Sequence, residues 1–118
     1  MASRRDKQQE DIRLRVMHLV SQYPEISTRQ LADKVGISHG SAYYVVTALV
    51  KKGFLKLNNF TNNPRKGQYA YFLTPKGIRE KSLLTHSFIE RKRQEFKDLK
   101  AEIQALEEEV GIAPEDLS

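Results

Sequence analysis

The sequence predicts a mainly α fold with a minor β part: three helices, a two-stranded sheet and a long last helix. Three observations predict it. Apolar residues recur at three- and four-residue steps in residues 10–22, 28–35 and 38–52. Two short β-forming runs, 54–57 and 69–73, flank a stretch rich in Asn, Pro and Gly. An apolar heptad then threads a highly charged segment up to Val110.

Composition narrows the functional classes. The 118 residues suit one small domain with appendages. There is no cysteine, hence no disulfide framework, zinc-knuckle spacing or thiol nucleophile. The first residues, MASRRDKQQEDIR, are charged without an apolar segment, so a secretory signal is not expected. No apolar run approaches the roughly 20 residues that span a bilayer. The expected location is cytoplasmic. Residues 1–94 hold 18 Lys and Arg against 7 Asp and Glu, whereas residues 95–118 hold 2 against 8. A basic body with an acidic appendage fits a nucleic-acid binder.

Residues 1–8 read as a flexible basic arm. The first helix is expected over residues 10–22, with Ile12, Val16, Leu19 and Val20 as its apolar stripe and Met17 at the edge. Tyr23-Pro24 ends it, because the residue before proline avoids helical geometry. Ser27 caps the second helix, and Gln30 three residues on completes a capping box. Leu31, Ala32 and Val35 give its apolar side, and Gly36 supplies the left-handed stop, with Ile37 in the position of the accompanying hydrophobic contact. Ser38 opens the third helix, whose stripe is Ala42, Val45, Val46, Leu49 and Val50.

The other face of that helix carries His39, Gly40, Ser41, Tyr43, Tyr44 and Thr47. Small and hydrogen-bonding side chains there let a helix approach base edges, and a helix N-terminus attracts phosphate. Two helices in this order form a helix-turn-helix. The strands at 54–57 and 69–73, joined by the polar stretch 58–68, add a β-wing directly after it. The expected fold is therefore a winged helix-turn-helix over residues 9–75.

Thr74-Pro75 caps and opens the last helix, with proline at its favoured first position. It is expected to occupy residues 76–111, about 35 residues and roughly 50 Å at 1.5 Å per residue. Ile78, Leu83, Leu84 and Phe88 are expected to pack on the body. From about residue 89 a coiled-coil seam follows: Ile89, Phe96, Ile103 and Val110 in one heptad position, Leu99 and Leu106 in the other, with Lys92 interrupting it. Such a stripe needs a second chain. Arg91-Lys92-Arg93 and Glu107-Glu108-Glu109 stand at opposite ends, which favours an antiparallel pairing. Residues 112–118 are a tail.

Taken together, the capped first pair of helices, LADKVGIS, ALVKKGFL, YAYFLTPKG and the charged helix resemble the MarR superfamily of bacterial regulators. AYYVVTALVKKGFLKLNNF and YAYFLTPKGIREKSLLTHSFIERK resemble most the exopolysaccharide-associated MarR-type regulators. The resemblance implies a dimeric transcriptional regulator acting near polysaccharide biosynthesis genes. One departure matters: a single helix precedes the helix-turn-helix, which leaves dimerisation to the C-terminal helix.

The expected function is sequence-specific binding of double-stranded DNA by a homodimer. The helix over residues 38–52 enters the major groove, and the wing at residues 60–68 lies on the backbone or minor groove. The expected DNA-binding residues are Arg29, Gln30, Ser38, His39, Gly40, Ser41, Tyr43, Tyr44, Thr47 and Lys51, with Arg65 and Lys66 at the wing tip. Ile89, Phe96, Leu99, Ile103, Leu106 and Val110 are expected to dimerise. The alternative is a winged-helix adaptor that docks proteins through its coiled coil. No catalytic group, metal or cofactor is expected: His18, His39 and His86 fall in separate elements, and there is no glycine-rich phosphate loop.

Overall fold

In the computed structural model, residues 4–59 and 69–111 are described. Their elements run α1 (Arg4–Gln22), α2 (Thr28–Val35), α3 (His39–Lys51), β1 (Leu55–Asn59), β2 (Tyr69–Leu73) and α4 (Pro75–Val110). The chain divides into two units, Met1–Thr85 and His86–Ser118. The first holds the helix-turn-helix, the sheet and the opening turns of α4.

Local chemistry sets most boundaries. α1 begins at Arg4, ahead of the expected start at residue 10, because residues 4–9 are good helix formers with Asp6 in the first turn. The capping box at α2 forms as expected: the Ser27 hydroxyl accepts from the Gln30 N–H at 3.1 Å, and the Gln30 side chain accepts from the Ser27 N–H at 2.9 Å. Gly36 stops α2 at φ 81°, where Gly36 and Ile37 both donate their N–H to the Ala32 carbonyl. At eight residues α2 is too short to persist by propensity. Fully buried Leu31, which contributes about 2 kcal/mol, holds it in place.

The sheet is antiparallel, with Leu55 opposite Leu73 and Asn59 opposite Tyr69. Asn58 and Asn59 thus belong to β1 and not to the loop expected from residue 58. Phe54 lies just before the strand: its N–H donates to the Leu49 carbonyl and its carbonyl accepts from the Thr74 N–H. On the outer side of β2, the Tyr71 N–H donates to Pro24 O in the α1–α2 connection at 2.9 Å. That bond covers a strand edge.

The core joins Val16, Met17 and Val20 of α1 to Leu31 and Val35 of α2, Val46 and Leu49 of α3, and Phe54, Leu55 and Leu84. Met17 is fully buried, which corrects its expected place at the stripe edge. Its unbranched side chain fills the space where α1 meets its neighbours, and half-buried Leu19 takes the flank. Val50 is 37% exposed and lies outside the α3 stripe. In α4, Ile78 and Leu83 are exposed, against expectation, while Gly77 and Leu84 are buried. The inward face of this helix follows Gly77, Lys81 and Leu84, a spacing that turns Ile78 and Leu83 outward.

Gly77 has a steric reason. A Cβ there would fall on the Phe54 carbonyl oxygen and within 2.9 Å of its carbonyl carbon. The Gly77 N–H donates to the Thr74 hydroxyl at 3.0 Å, and that hydroxyl donates to the Gly53 carbonyl. Lys76 Nζ adds a 2.9 Å bond to the Lys52 carbonyl and lies 5.1 Å from the Phe54 ring centre. The start of α4 is thereby tied to the end of α3, which fixes the root of the wing.

Candidate nucleic-acid interface

Ser38 caps α3 in extended geometry, accepting from the Ser41 N–H at 3.1 Å and donating its own proton to the Ser41 hydroxyl at 2.8 Å. Both hydroxyl roles of Ser38 are therefore taken up in starting the helix. Once started, α3 buries Ala42, Val46 and Leu49, with Val45 packed against the same core.

Gly40, Tyr44, Thr47 and Lys51 follow four-, three- and four-residue steps and share the outward strip. Tyr44 is 74% exposed and Tyr43 67%. Two tyrosines this open on one helix leave large apolar area in water without an internal partner. Tyr43 follows His39 by one turn on the side of α2, where His39 Nε2 comes 3.9 Å from Asp33 Oδ1, both side chains largely exposed. Ser41, Val45, Ala48 and Lys52 face the other way, along a groove of about 590 Å³ shared with α1.

Gly40 differs from Gly77. A Cβ at Gly40 would meet nothing within 4 Å, and its φ is not positive. Packing among the described residues thus gives no reason for glycine in the first turn of α3. The lack of a side chain opens the helix backbone to an outside partner.

Arg29 and Gln30 stand exposed at the start of α2, with the Gln30 carbonyl oxygen engaged in the capping box. Lys51 is exposed at the end of α3. The structure brings ten of the twelve expected contact residues onto α2, α3 and the turn between them; Arg65 and Lys66, with the wing tip, lie outside the described residues. Sequence reasoning passed over Arg13 and Lys52, which line the α1–α3 groove. Their signal was positional: both are cations on elements whose other residues were already assigned.

In the second unit, α4 exposes its apolar heptad. Phe96 is 66% exposed, Val110 67% and Leu99 54%, with Ile89, Ile103 and Leu106 also open. Lys92, which interrupts the seam, bonds Glu95 Oε2 at 3.1 Å and lies 5.3 Å from the Phe88 ring centre. Among the described residues no group of His, Asp and Glu could hold a metal ion, and no helix is long and apolar enough to cross a membrane.

This geometry is that of a winged helix-turn-helix, and comparison with known proteins agrees. A family described as winged helix-turn-helix DNA-binding matches residues 9–56. The fold is shared with crystal structures of MarR-family regulators. A MarR/EmrR family transcriptional regulator from Acinetobacter sp. ADP1 matches at 21% identity and TM-score 0.60, over 84% of this chain and 74% of that one. The adhesin competence repressor AdcR of Streptococcus pyogenes matches at 21% identity and TM-score 0.61, over 92% and 81%. A MepR variant from S. aureus bound to an oligodeoxyribonucleotide matches at 15% identity and TM-score 0.56, over 87% and 78%. No curated protein sequence matches significantly.

Proposed function

We propose that the protein is a homodimeric transcriptional regulator of the MarR type that binds double-stranded DNA sequence-specifically. The observation that carries this reading is the outward strip of α3, where Gly40, Tyr44 and Lys51 stand open beside half-buried Thr47 on a helix whose opposite face is locked in the core. A similar fold has been crystallised with an oligodeoxyribonucleotide, which supports the same use here. In this reading α3 lies in the major groove, where tyrosine and threonine hydroxyls hydrogen-bond base edges and the Tyr rings contact thymine methyl groups. Arg29, Gln30 and Lys51 position the backbone, and Arg65 and Lys66 extend that grip from the wing. The exposed heptad of α4 pairs with a second copy, antiparallel, so that Arg91–Arg93 of one helix meet Glu107–Glu109 of the other. A role at polysaccharide biosynthesis genes rests on the sequence resemblance alone.

Tyr44→Ala tests base reading. It is expected to cost about 1–3 kcal/mol on the preferred site and far less on unrelated duplexes, measured by fluorescence anisotropy. Equal loss on both would contradict base reading. Gly40→Ala separates fold from function: thermal stability should hold or rise by about 0.5 kcal/mol, since the added methyl meets no atom. Specific affinity should nonetheless fall, because the methyl stands between helix and groove floor. Unchanged affinity would show that α3 keeps its N-terminal turn away from DNA.

A protein-docking adaptor is the competing reading, favoured by the open Tyr43 and Tyr44, since tyrosine is also enriched in protein interfaces. The excess of cations over the first 94 residues weighs against it.

A further inference from the structure

We propose that α1 is part of the DNA-binding surface: Arg13, with Lys52, seats a backbone phosphate in the groove between α1 and α3. This rests on the DNA-binding reading above and names contacts that reading lacks.

The groove's position is the first argument. One wall includes Gly40 and Tyr44, which also belong to the proposed reading face. Duplex lying against that face therefore passes over the groove's mouth. A helix seated in the major groove has a phosphate backbone along each flank. On the α2 side, exposed Arg29 serves one strand in that reading. The α1 flank needs cations for the other.

Its chemistry is the second. Among the described residues the groove is lined by two cations, Arg13 and Lys52, and by no carboxylate. Arg13 Nε is shielded from solvent and has no hydrogen-bond partner among the described residues, an arrangement that is unfavourable for a buried donor. A phosphodiester at the groove's mouth would accept from the terminal N–H groups of the guanidinium, whose planar fork matches its oxygens. Ile12, Val45, Ala48 and Leu49 line the same groove and offer apolar surface to the aliphatic stems of Arg13 and Lys52.

The test uses the full chain and a mixed-sequence DNA duplex, with affinity followed as salt is raised. For a phosphate contact, Arg13→Gln should lower the slope of log K against log salt by about one. Lys52→Gln should do the same, and the double variant should lower it by about two. Arg13→Lys should retain most of the slope, and thermal melting should match the parent throughout. The seat is overturned if the parent shows a steep slope and Arg13→Gln, natively folded, shows the same one. Competition by inorganic phosphate that depends on Arg13, with the duplex slope unchanged, would make the groove a site for a free anion and overturn the DNA assignment. A parent protein without salt-dependent duplex binding would overturn the DNA-binding reading itself, and the seat with it.

Discussion

Leu99→Asp is expected to turn the protein into a monomer and to abolish tight binding at its preferred DNA site. Leu99 sits near the middle of the α4 seam, between Phe96 and Ile103, and is 54% exposed in the single chain. Pairing removes that surface from water. An aspartate in the same place would be desolvated in both copies, and an uncompensated buried charge costs about 3–5 kcal/mol. The monomer equilibrium then shifts by two or more orders of magnitude. DNA affinity falls with it, since a two-headed protein gains its second contact at high effective concentration and a monomer does not. Analytical ultracentrifugation reads the first effect and anisotropy the second. A dimer that survives Leu99→Asp would put the interface elsewhere. Arg91→Glu with Lys92→Glu and Arg93→Glu, combined with lysines at Glu107, Glu108 and Glu109, should restore pairing lost on either change alone if the helices run antiparallel.

The second large effect concerns stability. Gly77→Ala adds one methyl where the Phe54 backbone already stands, and backbone yields less than a flexible side chain. Phe54 is itself clamped by bonds to Leu49 and Thr74. Overpacking of this kind costs about 2–3 kcal/mol, and in a domain of this size that lowers the melting temperature by roughly 10–20 °C. The loss should appear in circular-dichroism melts without any change in oligomeric state. A variant as stable as the parent would mean that the start of α4 stands off from Phe54.

These positions also mark how far the sequence could be read. The helix-turn-helix was legible because its signals are local. Ser27 and Gln30 satisfy each other three residues apart, and Gly36 must take a left-handed conformation wherever the domain packs. The strand at 69–73 was likewise legible from its β-forming run. Contacts between distant segments were not. Met17 is fully buried in a core assembled from distant segments of the chain. Ile78 and Leu83 are apolar and face outward because Gly77 and Leu84 set the helix's rotation. The tight approach of Gly77 to Phe54 joins residues 23 positions apart, and only the folded chain reveals it. Within the candidate site, the exposed strip of α3 followed from periodicity. Arg13 did not, since nothing in the α1 pattern says which neighbour its flank meets.

Specific recognition by a two-fold dimer is tested most directly by capture of sheared genomic DNA with the purified protein near physiological salt. Such a dimer should strongly enrich a few fragments upstream of genes, sharing a motif with two related half-sites. Uniform recovery across the genome would contradict it, leaving charge-driven contact alone.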